Sequence, residues 1–525
     1  MNVDPITTAV IGSSLTYASE EMGIAVRNSA YSPNIKERLD HSCALFDRHA
    51  RLIAQAEHIP VHLGSLPWGL RQTLAHIEGR TAIAPGQMWV VNDPYISGTH
   101  LNDVTLVRPI FFADRLLGYS ANKAHHTDVG GMVPGSMSAD APELFAEGLI
   151  VPPMLLTDAV VELFETNSRT PQARSGDLRA QTAGNITGER RMHELAQRYG
   201  VDVLEAAIER LLDESERRMR AKLRELGNGT FNCTDFLEDP AGTPSIRISL
   251  SMRLHDGNAH FDYAGTSEQV GYPMNAVYGV TLSGVYYALR AVTDATIPMN
   301  EGCFRPVRVD VPLGTLLNPR RPAPVSGGNV ETSTRNADVV LQALAQAAPG
   351  RVPASSGGTM SNVMLGGTAE SGATWAFYET NGCGMGARPA MDGIDGIQCH
   401  MTNTLNTPIE AIERYYPLRV TRYEFLEGTG GEGAFKGGNG LVRALELTSG
   451  QARCSLLADR HTVAPPGAQG GHSGATGRHV RTRDGETTPV PAKTTFAFLP
   501  GDQIEIRTPG GGGYGTPGST LQDRT

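Results

Sequence analysis

The chain has 525 residues, 40% of them hydrophobic and 19% charged, with a formal net charge of -10. That length exceeds one simple core and predicts two to four domains. The acidic balance argues against nucleic acid or an anionic membrane surface as a partner, because both attract basic faces.

In chain order, Asp4-Pro5 reads as an N-cap followed by proline at the first helical position, so residues 5 to 28 form an amphipathic helix with Ile6, Val10, Ala18, Met22 and Val26 on one face. This opening lacks a basic segment followed by an apolar block, and no run approaches the ~18 apolar residues that span a bilayer, so a cytoplasmic location is expected. "DHSCALFDRHARLIAQ" reads as two short strands turning at Asp47 to His49, "SLPWGLRQTLAHI" as a helix, and "GQMWVVNDPY" as a buried strand ending in an Asp-Pro turn. "VTLVRPIFF", "ADR" and "LLGYSANKA" form a hairpin. From 139 to 226 the pattern is helical, clearest in "VDVLEAAIERLLDESERRMRAKLREL", whose stripe is Val201, Leu204, Ile208, Leu211, Met219 and Leu223 and whose stop is Gly227. "SIRISLSMRLHDGNAHFDYAG" is a second hairpin, and "NAVYGVTLSGVYYALRAVT" and "NADVVLQALAQAAPG" are helices, the former rich in small residues and therefore closely packed. The last hundred residues are strands between glycine clusters, read as tight turns, and the tail after Pro517 reads as loose. The expected fold is α+β, with mixed, largely antiparallel sheets and an inserted helical segment, divided at 1-138, 139-230 and 231-525.

The six cysteines (Cys43, Cys233, Cys303, Cys383, Cys399 and Cys454) include no CxxC pair and read as buried thiols. The 60 glycines follow no period, which means many turns and close backbone approaches.

The first hairpin concentrates polar chemistry. With its turn centred on Asp114, Asp103 faces His125 and His100 faces Asp128, within one register step. "GTHLND" and "AHHTDVGG" then meet at one end, bringing His100, Asp103, His125, His126 and Asp128 into a small volume. Imidazole nitrogens with one or two carboxylates suit Zn, Mn or Fe, and a divalent ion with an open position lowers the pKa of bound water. The alternative is a polar hairpin base whose histidines bond turn backbone.

The segments "ERLDHSCALFD", "HIPVHLGSL", "NDPYISGTHLNDVTLVRPIF", "ANKAHHTDVGGMVPGSM", "EGLIVPP", "NEGCFRPVRVDVPLGTLLNP", "GGNVETSTRNADVV", "TNTLNTPIEAIE", "GTGGEGAFKGGNG" and "PGGGGYGTP" resemble the hydantoinase B family, the B-type subunit of ATP-dependent hydantoinases, 5-oxoprolinases and lactamases, related also to acetone and acetophenone carboxylase subunits. The resemblance covers nearly the entire chain. It implies a divalent metal held by Asp40, His100, Asp103 and His125, with Asp40 supplied by the family pattern alone. It further implies an A-type partner subunit that uses ATP and Mg to phosphorylate the amide of a small cyclic substrate, in a hetero-oligomer such as a heterotetramer. The rival implications are a ketone carboxylase component and a structural subunit without chemistry of its own.

Other residues invite weaker readings. His126 and Asp128 can orient water or accept a proton, with Asp128 alternatively capping the "DVGG" turn. His58 and His62 read as pocket lining. Asn329, Glu331 and Arg335 beside a Gly pair suit an anion or partner loop, or simply the cap of a helix. Arg388 can face substrate. Neither late glycine cluster matches a phosphate-binding loop.

Overall fold

The computed structural model describes residues 3–56 and 58–519. Helix α1 (Pro5–Ser29) starts where Asp4 Oδ1 accepts from the Ile6 and Thr7 amides, both at 3.0 Å, a cap worth about 1 kcal/mol. Its buried stripe is Ile11, Leu15, Ala18, Met22 and Val26, while Ile6 and Val10 are exposed. The expected face is therefore corrected in its first half: stepping by four from Ile6 drifts off a helix that repeats every 3.6 residues.

A short helix α2 (Pro33–Lys36) leads into β1 (His41–Asp47) and β2 (Leu52–Gln55). Then come α3 (His62–Ile77), β3 (Trp89–Val91), α4 (Pro94–Ser97), β4 (Asp103–Phe112), β5 (Arg115–His125) and β6 (Met154–Leu155). These strands form one sheet in the order β2-β1-β5-β4-β3-β6, antiparallel throughout. The hairpin keeps the expected register from Asp103↔His125 to Ile110↔Gly118, and a bulge then shifts it by one beside the turn. Because the irregularity lies at the turn, the base is undisturbed.

The helical segment holds α5 (Asp158–Thr166), α6 (Pro171–Tyr199) and α7 (Val201–Glu225). Along α7 the stripe runs through Leu204, Ile208, Leu212, Met219 and Leu223, with Leu212 buried in place of the expected Leu211. Leu204, Ile208 and Leu212 share one apolar core with α1 and with Cys43, Leu45 and Ala124 of the sheet.

Beyond it, β7 (Gly229–Glu238), β8 (Pro244–His255), β9 (Asn258–Asp262) and, after α8 (Tyr278–Val292), β10 (Val307–Asp310) make a four-stranded sheet in which only β9 and β10 run parallel. Helix α8 packs closely, as its small residues require: Ser283 Oγ accepts from the Gly64 and Ser65 amides of α3 at 3.0 Å each. A π-turn at Gly328–Thr332 precedes α9 (Ser333–Ala347).

The last part holds β11 (Asn362–Thr368), β12 (Thr374–Glu379), α10 (Ile409–Tyr415), β13 (Leu418–Phe425), β14 (Leu441–Leu447), β15 (Gln451–Leu457), β16 (Arg478–Arg483), β17 (Glu486–Val490), β18 (Lys493–Phe498) and β19 (Gln503–Arg507). They form sheets ordered β12-β11-β15-β18 and β13-β14-β19-β16-β17, so the fold is α+β with mostly antiparallel sheets. The glycine clusters here are extended segments packed backbone to backbone, which corrects their reading as turns. A Cβ on Gly438 would lie 2.1 Å from the Ile394 carbonyl oxygen, and one on Gly511 2.2 Å from that of Met385. Among the described residues no helix is long and apolar enough to cross a membrane, and the cysteines are free thiols, four buried and Cys233 and Cys399 half-buried. Of the tail after Pro517, residues 520–525 lie outside the described residues.

Candidate metal centre

The polar residues of "NDPYISGTHLND" divide their labour. Asn92 and Asn102 brace loops: Asn92 donates to the Leu101 and Leu149 carbonyls, and Asn102 to those of His126 and Gly135. Asp93 caps α4 and pairs with Arg321. Gly98, at φ +89°, reverses the chain and leaves His100 in the turn before β4, whose first residue is Asp103.

His100, Asp103 and His125 converge there, fully buried. His100 Nε2 lies 3.1 Å from Asp103 Oδ1, His125 Nδ1 lies 3.4 Å from the same oxygen, and the two ring nitrogens are 3.2 Å apart. Asp40 comes alongside, its Oδ2 at 4.0 Å from His125 Nδ1. Leu39 before it sits at φ +60°, a left-handed conformation costing a non-glycine residue on the order of 1 kcal/mol. Burial pushes the Asp103 carboxyl up, but the neighbouring His100, His125 and His62 rings outweigh it and hold the group well below the usual carboxylate range. Burial pulls His125 down. An ionised carboxylate between two imidazole rings is a donor set for a divalent ion. Asp103 Oδ1, buried without a hydrogen-bond partner among the described residues, fits that role.

Further groups surround the cluster: His62, expected to line a pocket, does line the cavity here, whereas Tyr378 and Arg38 had no readable sequence signal. His62 Nδ1 meets Ser42 Oγ at 2.8 Å, and its Nε2 reaches Asp103 Oδ2 at 3.4 Å. Tyr378 of β12 stacks on His125, with ring centroids 4.7 Å apart and an interplanar angle of 14°. Its ring also carries the Arg38 guanidinium at 4.8 Å. A cavity of about 20 Å³ opens between Asp40, Asp103, His125, Asn329, Met360 and Met401, room for about one water.

The other expected residues are placed elsewhere. His126 turns toward α6, its Nε2 at 2.9 Å from Gln181 Oε1, and burial pushes it down to about 3. Asp128 closes its own turn, accepting from the Gly130 and Gly135 amides and pairing with Arg169 at 3.0 Å. His58 packs against His41, with ring centroids 5.0 Å apart. Glu331 and Arg335 are buried inside the protein, Arg335 pairing with Asp235 and Asp459. Arg388 donates to the Asp392 carbonyl of its own loop.

A family model described as Hydantoinase B/oxoprolinase matches residues 4–517. The chain belongs to the hydantoinase B/oxoprolinase family. It is 35% identical to 5-oxoprolinase 1 of Arabidopsis thaliana over 95% of this chain but only 41% of that protein. A Pseudomonas sp. protein, provisionally named as the B-type subunit of a D-/L-hydantoinase, is 33% identical, over 98% of this chain and 90% of its own length. The crystal structure of the ATP-dependent caprolactamase from Pseudomonas jessenii superposes with a TM-score of 0.92 at 33% identity, covering 100% of this chain and 93% of that one.

Proposed function

We propose that this hydantoinase B family chain is the metal-bearing half of an ATP-dependent cyclic amidase, working beside an A-type partner that phosphorylates the ring amide. The observation that carries the reading is the buried His100–Asp103–His125 cluster with Asp40 beside it, in a chain similar from end to end to the ATP-dependent caprolactamase and to the D-/L-hydantoinase B-type protein. His100, Asp103, His125 and Asp40 would hold a divalent ion, Zn, Mn or Fe. When bound, such an ion lowers the pKa of water and stabilises negative charge developing on oxygen.

The protein's own groups set the conditions. Asp103 stays ionised through the neutral range. His62, fixed by Ser42, holds the second oxygen of Asp103, and Tyr378 fixes the plane of His125. Ile59, Val61, Met360 and Met401 keep bulk water from the cavity, which strengthens every electrostatic interaction inside. A lactam ring is larger than the present cavity, so its entry requires the lining to give way. ATP coupling fits the chemistry, because unstrained lactams are weak electrophiles. In this chain the glycine clusters pack on one another and leave phosphate handling to the partner.

The test is ATP-dependent turnover of lactams, hydantoins and ketones by the chain co-expressed with its A-type partner, with and without bicarbonate. Bicarbonate-independent ring opening is expected. A strict bicarbonate requirement would make the complex a ketone carboxylase, and full activity in His100→Ala would make this chain a purely structural component.

A further inference from the structure

A second cavity lies apart from the metal cavity. It measures about 760 Å³ and lies between α2, the first turn of α6, β12 and Tyr416, within the ~300–1,000 Å³ of small-molecule sites. Its walls hold an unusual set of idle hydrogen-bond donors. Arg174 is fully buried, and its Nε and Nη1 have no partner among the described residues. The Trp375 Nε1–H and the Ser32 hydroxyl, both on the same lining, are likewise buried and unpartnered.

An indole N–H and a guanidinium can only donate, so what is missing from this cavity is an acceptor. The remaining Arg174 nitrogen, Nη2, reaches only Asp177 Oδ2 at 3.4 Å, and the other oxygen of that carboxylate is occupied by the Tyr31 and Ser32 amides. Burial accordingly pulls the Arg174 guanidinium below its usual range despite Asp177 and Asp128. A second feature points the same way. Helix α6 is 29 residues long, begins at Pro171 on this lining, and its N-cap Thr170 makes no side-chain cap bond. Its exposed amide end therefore faces the space with the positive pole of the helix dipole. Lys36 adds a cation and Glu37 an anion at the lining, while Arg169 is already committed to Asp128.

We propose that this cavity is an oxyanion-binding site for the carboxylate or phosphate of a small molecule, with Arg174, Trp375 and Ser32 donating to its oxygens and the first turn of α6 facing its charge. The site stands apart from the metal reading and does not rest on it. The Trp375 and Tyr416 rings, 5.9 Å apart, wall the space for the apolar body that carries the anion.

Calorimetric titration of the full chain, stripped of metal by chelator, with inorganic phosphate and separately with glutamate tests this and separates the two anions. Saturable binding of at least one is expected, with one site per chain. Arg174→Gln should weaken it by about tenfold or more, since a charge-assisted bond is lost, and Trp375→Phe by about threefold, since one neutral donor is lost. Should Arg174→Gln fail to fold, Trp375→Phe, which keeps the ring packing, decides. No binding of either anion below about 10 mM, or wild-type affinity in the folded variants, would overturn the proposal.

Discussion

Two of the buried polar clusters among the described residues, one around Arg335 and one around Asp103, are built on opposite logic. Around Arg335, the charges answer one another: Arg335 pairs with Asp235 and Asp459, Arg460 with Asp235 and Asp338, Lys493 with Asp459, and His400 with Asp338. Around Asp103, a carboxylate faces the imidazoles of His100, His62 and His125, the last discouraged from charging by burial, and the nearby Lys123 is spent on the Ser97 carbonyl and the Thr99 hydroxyl. Burial pulls that lysine down to about 7. A balanced cluster is architecture; a cluster rich in acceptors and short of cations is a place for an ion.

Breaking each cluster should therefore give different losses. Asp103→Asn should reduce bound metal to below about a tenth of an ion per chain and abolish ring opening in the reconstituted complex, read by elemental analysis and turnover. Arg335→Met should instead cost about 3–5 kcal/mol of stability in urea unfolding, with metal content per folded chain unchanged. A subtler cut is His62→Ala, which leaves the ligands in place but frees Asp103. Metal affinity should fall about 10–100-fold, measured by competition with a chelator.

The shallowest effect is a slope. Burial, with the Asp459 carboxylate adding to it, raises Glu331 from its ordinary 4.5 to about 8. A raised folded value means that the proton stabilises the fold fully below about pH 4.5, and that this contribution is lost as pH climbs through about 8. Glu331→Gln mimics the protonated side chain, so its melting temperature should fall less than that of the wild type across that window. Parallel curves would show that Glu331 is ionised in the folded protein.

The contrast also explains what the sequence could disclose. Asp103 opposite His125 follows from counting along a hairpin, because strand pairing is local and its bulge falls at the far end. His126 and Asp128 adjoin the same base in sequence, yet β5 ends at His125 and the chain turns away, so adjacency did not become proximity. Asp40 needed the family pattern, being 60 residues from His100. Tyr378 and Arg38 carry no local signal at all, since their meeting depends on how β12 docks against the first sheet. Glu331 and Arg335 looked like a loop poised for a partner because short motifs do not reveal burial. The glycine clusters misled for a related reason: glycine serves close backbone approach as readily as turning.

The proposed divalent ion, held by the cluster at the base of the hairpin, is what sets that cluster apart. Elemental analysis of the wild-type chain, purified without chelator, tests it most directly. About one Zn, Mn or Fe per chain, lost in Asp103→Asn, is the predicted result. Less than about a tenth of an ion per chain in the wild type, or the same content in wild type and variant, would contradict it.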